Sequence, residues 1–62
     1  MTYREWAWEL ITIITNDKRV SPEIKVEEIK CALRKDVYLH SYEEGDTPEE
    51  SWLGEFEALS EV

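Results

Sequence analysis

Three helix starts are written into 62 residues, and little interrupts the chain between them. Thr2 stands three positions before Glu5, and Thr47 three before Glu50. That spacing is a capping box: the hydroxyl accepts the backbone N–H three residues on, and the carboxylate reaches back to the N–H of the capping residue. Between the two boxes, Ser21-Pro22-Glu23 supplies a capping hydroxyl, a proline suited to the first helical position and an acid at the positive end of the dipole. No Gly or Pro occurs between Pro22 and Gly45. These signals confine the chain to an all-α fold, a small three-helix domain with helices near 3–16, 22–35 and 48–60.

The apolar residues follow the helical period. Tyr3, Trp6, Ala7, Leu10, Ile11, Ile13 and Ile14 share one side of the first helix, a face broad enough for two neighbours. Trp8 falls outside it, beside Arg4 and Thr15. Val26, Ile29 and Leu33 form the stripe of the second helix, with Ala32 next to it and Ile24 and Cys31 on the opposite side. Trp52, Leu53, Phe56 and Leu59 form the face of the third. Gly54 weakens that helix by about 1 kcal/mol relative to Ala and leaves room for another backbone. The expected core is Tyr3, Trp6, Leu10, Ile14, Val26, Ile29, Leu33, Trp52, Phe56 and Leu59.

Residues 36–44 admit two readings. In one, the second helix runs on to Glu44 and Gly45 caps its end. In the other, it stops at Lys35, whose charge suits the last turn, and Val37 to Tyr42 alternate as a short strand. The longer helix is the better expectation, because a lone strand has no evident partner within the chain.

Size sets a second limit. A chain of 62 residues is one domain, 1–62, and buries only about 60% of the surface its unfolded form exposes. One cysteine rules out an internal disulfide, and no Cys/His set has zinc spacing. What remains to reinforce the fold is aromatic packing, from three Trp, three Tyr and one Phe, and self-association, so completion by a homodimer is an expectation. Arg4 and Glu5 with no long apolar run after them do not read as a secretory leader. No stretch approaches the roughly 20 apolar residues of a membrane span. A cytoplasmic location is expected, in keeping with a single unpaired cysteine.

Charge is divided along the chain. All seven Lys and Arg lie in residues 1–35, against six Asp and Glu, a net +1. From Asp36 to Val62 there are nine acids and no Lys or Arg. On the third helix Glu50, Gly54, Glu57 and Glu61 fall on one side, and Glu43, Glu44, Asp46 and Glu49 precede them. Glu57 and Glu61 are about 6 Å apart along a helix axis, comparable with the separation of neighbouring phosphates on a nucleic-acid strand. An ordinary soluble surface mixes both signs, so a one-sided run reads as a surface that enters a site built for phosphates. The blander alternative is a solvated face that keeps a small protein in solution. Trp8, Trp52 and Phe56 are candidate apolar anchors, with core packing as the alternative for Trp52 and Phe56.

Other chemistries find little support. Ser21, Ser41, Ser51 and Ser60 lack the glycines of a nucleophile elbow, and no phosphate loop or nucleotide fingerprint occurs. The chain is too short to enclose a dry pocket, so no enzymatic activity is expected. His40 with Glu43 or Glu44 has helical ligand spacing, but one pair does not make a metal site, and no metal or cofactor is expected. Glu27 and Glu28 oppose thiolate formation at Cys31. Lys18, Arg19, Lys25, Lys30, Arg34 and Lys35 invite a helix-turn-helix reading, yet a net charge of −8 repels a polyanion, and no direct nucleic-acid binding is expected. Those cations are better placed to balance the acids of the third helix.

In size and charge the chain resembles the small acidic proteins by which phages and mobile elements inhibit host machinery, including nucleic-acid mimics; no motif carries the resemblance. The expected function is that of a non-catalytic acidic binding protein docked on the basic, nucleic-acid-binding site of a protein partner. Glu50, Glu57 and Glu61 meet the cations, with Glu43, Glu44, Asp46 and Glu49 at the edge. The alternative is an assembly module that homo-oligomerises through its apolar helix faces, with the acids only solubilising it.

Overall fold

A computed structural model describes residues 1–34 and 38–60, for Leu59 and Ser60 the backbone alone. The fold is all-α, and the described residues form four helices rather than three: α1 (Tyr3–Asn16), α2 (Pro22–Arg34), α3 (Leu39–Glu43) and α4 (Pro48–Ser60). Among the described residues there is no strand.

The local signals act as expected. Thr2 caps α1, its Oγ1 accepting from Glu5 N at 3.2 Å while Glu5 Oε1 accepts from Thr2 N at 3.2 Å. Thr47 and Glu50 repeat the arrangement at the start of α4, both bonds at 3.1 Å. Ser21 Oγ accepts from Ile24 N at the start of α2. Leu39 to Glu43 are helical and Tyr38 is the residue that precedes that helix, so the strand reading fails over its described part; Val37 lies outside the described residues. The continuous helix to Glu44 also fails, since α2 ends at Arg34 and α3 is a separate element. Gly45 does terminate the helix before it. At φ +87° its N–H donates to Tyr42 O, and Asp46 N donates to Ser41 O, the paired bonds of a Schellman ending.

α1 is the hub, with α2, α3 and α4 each packed on it. Its Trp6, Leu10 and Ile14 meet Ala32, Tyr38 and Trp52 in the buried centre. Trp6 stands in a ring of tyrosines, stacked on Tyr3 at 5.9 Å and edge-on to Tyr42 at 6.0 Å. Its Nε1 donates to Asp46 O at 2.9 Å, which ties α1 to the loop before α4.

α2 departs from the expected core. Val26 and Leu33 are 51% and 62% exposed, and Ile29 is only partly buried. The inward face is instead Glu28 and Ala32, one turn apart. Tyr3 Oη donates to Ala32 O at 2.6 Å, and the small Ala32 side chain lets α1 come close enough for that bond. The bond holds α2 with its longest apolar side chains turned to the flank. Tyr38, which no apolar stripe marked, is buried in their place. Tyr3 and Phe56 pack at the rim of the core, and the side chain of Leu59 lies outside the described residues.

Candidate functional site

The acids expected to meet a partner occupy the outer face of α4 and the loop before it. Glu49, Glu50 and Glu57 are exposed, as are Glu43 and Glu44 at the end of α3; Asp46 is half-buried, and Glu61 lies outside the described residues. Glu50 is committed locally. Its Oε1 accepts from both Thr47 N and Thr47 Oγ1, and these two bonds hold its carboxyl below the usual range. Glu44 is engaged as well, with His40 Nε2 at 3.0 Å. Glu49 and Glu57 stand eight residues apart on one helix face, about 12 Å along the axis.

Between them lies Leu53, 51% exposed. Sequence reasoning assigned it to the buried face, but Trp52 and Phe56 fill the contact with α1, and Leu53 is turned outward among the carboxylates. Its helical angle, about 100° from Trp52, was the available signal. Gly54 shares this outer face, and among the described residues a Cβ built there meets nothing within 4 Å, so no other described backbone uses the space it leaves. Of the three candidate anchors, only Trp8 presents most of its ring to solvent. Trp52 is 2% exposed and belongs to the core, and Phe56 is half-buried beneath the Arg19 guanidinium, 3.9 Å from its ring centroid.

A shallow concavity opens at the loop end of this surface. Its floor is Trp6, Tyr42 and Pro48, and Glu9, Asp46 and Glu49 stand at its sides. Glu9, which lies in the half of the chain that carries the cations, was not among the expected contacts; the packing of α1 on α4, with the start of α1 beside the start of α4, brings it there. An apolar floor ringed by carboxylates is shaped for a cationic side chain with an aliphatic stem.

The expected balance of cations against α4 takes another form. Arg19 pairs with Asp17 at 2.8 Å, Lys30 with Glu27 at 3.9 Å and His40 with Glu44, and none of these three pairs includes an acid of α4. Among the described residues no group of three His, Cys, Asp or Glu side chains is arranged to hold a metal ion. No described helix is long and apolar enough to cross a membrane.

On the opposite side of α4, Glu28 of α2 is nearly buried. Burial pushes its carboxyl up, and Glu55 and Glu27 add to the shift; the Tyr38 hydroxyl beside it acts in the other direction. Burial, with Glu28 and Glu55 nearby, raises that hydroxyl far above the usual range. Two carboxylates and a buried phenol therefore crowd the α2–α4 junction.

Comparison with family models, curated proteins and solved structures finds no match for this chain.

Proposed function

We propose that this chain is a non-catalytic binding protein whose acidic face docks on the basic site of a protein partner, a site that otherwise holds nucleic acid. The observation that supports it most directly is the exposed row Glu49–Leu53–Glu57 on α4. It continues through the acids of residues 43–46, on a stretch of chain with no Lys or Arg. Carboxylates spaced along a helix take the place of phosphates against Lys and Arg. Leu53 and the concavity floored by Trp6, Tyr42 and Pro48 add apolar contact that a solubilising coat does not need. Charge complementarity of this kind mainly raises the association rate and sets specificity. Inhibition of the partner by occlusion of its groove follows from the same geometry, in the manner of the phage and mobile-element proteins the chain resembles.

The experiment is a pull-down from cell lysate with the chain as bait, beside the double variant Glu49→Lys/Glu57→Lys. Neither carboxylate accepts the capping bonds of a helix, and circular dichroism of the variant checks that its helix content is unchanged. The reading requires a nucleic-acid-binding protein that is retained at 50 mM salt, released by 0.5 M salt or competing duplex, and lost by the variant. Equal retention by both baits would refute it.

A further inference from the structure

We propose that the face formed by α1 and α2 is a self-association surface, through which two copies of this chain pair about a twofold axis with their acidic faces turned outward. The inference uses a surface separate from the acidic face and does not depend on its role.

Three large apolar side chains are left exposed on this side: Trp8 at 57%, Leu33 and Val26. Trp8 and Leu33 flank an open groove of about 320 Å³ whose floor includes Ile11 and Ala32. On α2, Val26 and Leu33 are seven residues apart, so they form one ridge two turns long. Their exposure is a consequence of the packing: the Tyr3–Ala32 bond and the inward turn of Glu28 and Ala32 swing this ridge out of the core. Exposed apolar side chains gathered on one side of a small protein, rather than scattered, mark an interaction surface.

Charge selects the occupant. Among the described residues the only charged one lining the groove is Arg4, and residues 1–35 of the sequence carry a net +1. A basic partner is drawn to the acidic half and not to this groove. A strongly acidic partner finds no cluster of cations among the described residues that line the groove. A second copy that approaches by its own α1–α2 face brings the near-neutral halves together and keeps the −9 halves apart. Trp8 of each copy then lies in the groove of the other, within reach of its Arg4 for a cation–π contact. Such a contact is isologous and closes at two.

The face is about 20 Å long and two helix diameters, about 20 Å, wide. An interface on that footprint belongs to the small class, below about 1,200 Å² in total. The dimer is accordingly weak, with Kd on the order of 10 µM and Trp8 as its main anchor.

Sedimentation equilibrium from 1 to 500 µM tests this, at 0.15 and 0.5 M NaCl, on the native chain, Trp8→Ala, Leu33→Glu and Glu49→Lys/Glu57→Lys. The native chain is expected to pass from 7.4 kDa to twice that mass, at lower concentration in the higher salt, because salt screens the repulsion of the outer halves. Trp8→Ala and Leu33→Glu should each raise Kd at least tenfold with unchanged circular dichroism. Should the alanine variant lose helix, Leu33→Glu alone decides, since that side chain lies outside the core. The Glu49/Glu57 reversal should not weaken pairing, which separates this surface from the acidic one. A constant 7.4 kDa up to 500 µM would overturn the proposal and leave the groove to another molecule. A dimer that survives Leu33→Glu unchanged would overturn the assignment to this face.

Discussion

The indole N–H of Trp52 donates to Asp17 Oδ2 across 2.8 Å, which fastens the middle of α4 to the residue that ends α1. Arg19 grips the same carboxylate with its backbone N–H, Nε and Nη2, and then lies over Phe56. One side chain from the first loop thus anchors the whole inner face of α4. Asp17→Asn leaves Arg19 without its counter-charge and weakens the acceptor of a buried N–H, so Tm should fall by roughly 5–10 °C.

The pH dependence of that loss has a definite sign. The Arg19 and Trp52 donors hold the Asp17 carboxyl well below the usual carboxylate range. A depressed group contributes stability that is present above its unfolded value, about 3.9, and is lost as pH falls toward the native value. Thermal melts of Asp17→Asn and the native chain should therefore differ equally at pH 7 and pH 5 and converge only in strong acid. Convergence already at pH 5 would show that the carboxylate is not held as the structure has it.

Glu28 has the opposite sign. Burial, with Glu55 and Glu27 nearby, raises its native value above the unfolded one. The charged form is penalised at neutral pH, and the penalty disappears as pH falls through the raised value. Glu28→Gln should therefore stabilise the fold at pH 7.5, read as a higher Tm than that of the native chain. The advantage should shrink toward zero below pH 4.3. A variant less stable than the native chain at pH 7.5 would mean that the Tyr38 hydroxyl favours the carboxylate by more than burial penalises it.

The reassigned core predicts unequal costs for two leucines. Leu10 is fully buried, and Leu10→Ala should cost about 2–5 kcal/mol, most of the stability of a chain this short. Leu33→Ala should cost less than about 0.5 kcal/mol in the monomer. Urea unfolding at 1 µM, below the expected dimer range, makes the comparison. Similar costs at the two positions would restore Leu33 to the core.

Gly45 tests the helix ending. A Cβ there meets nothing within 4 Å, so Gly45→Ala carries no clash, only the strain of φ +87°. The expected loss is about 1 kcal/mol, read as a fall of several degrees in Tm. A neutral substitution would indicate a different backbone at the end of α3.

What could be read from the residues was what depends on neighbours in the chain. Thr2 with Glu5, Ser21 with Pro22, Thr47 with Glu50, and Gly45 act within one turn, and all four mark the helix ends they announced. Glu43, Glu44, Glu49, Glu50 and Glu57 are exposed for the same kind of reason, since a carboxylate leaves water only at high cost. The orientation of α2 was not legible. Its hydrophobic stripe pointed to Val26, Ile29 and Leu33, but the helix is turned by a bond from Tyr3 to a residue 29 positions away. Tyr38 and Leu53 were misplaced by the same route: one fills space that α2 leaves, and the other yields its place on α1 to Trp52 and Phe56.

Local hydrogen bonding and charge are thus properties of the sequence alone, and they determined that the protein is helical, where its helices begin, and that one half of it is a field of carboxylates. Which side of each helix is buried depends on which small residue lets two backbones approach and which donor finds a distant acceptor. Only the tertiary structure decided that: it put Glu28 inside and left Trp8, Val26 and Leu33 outside, and so determined where this protein has surface to offer.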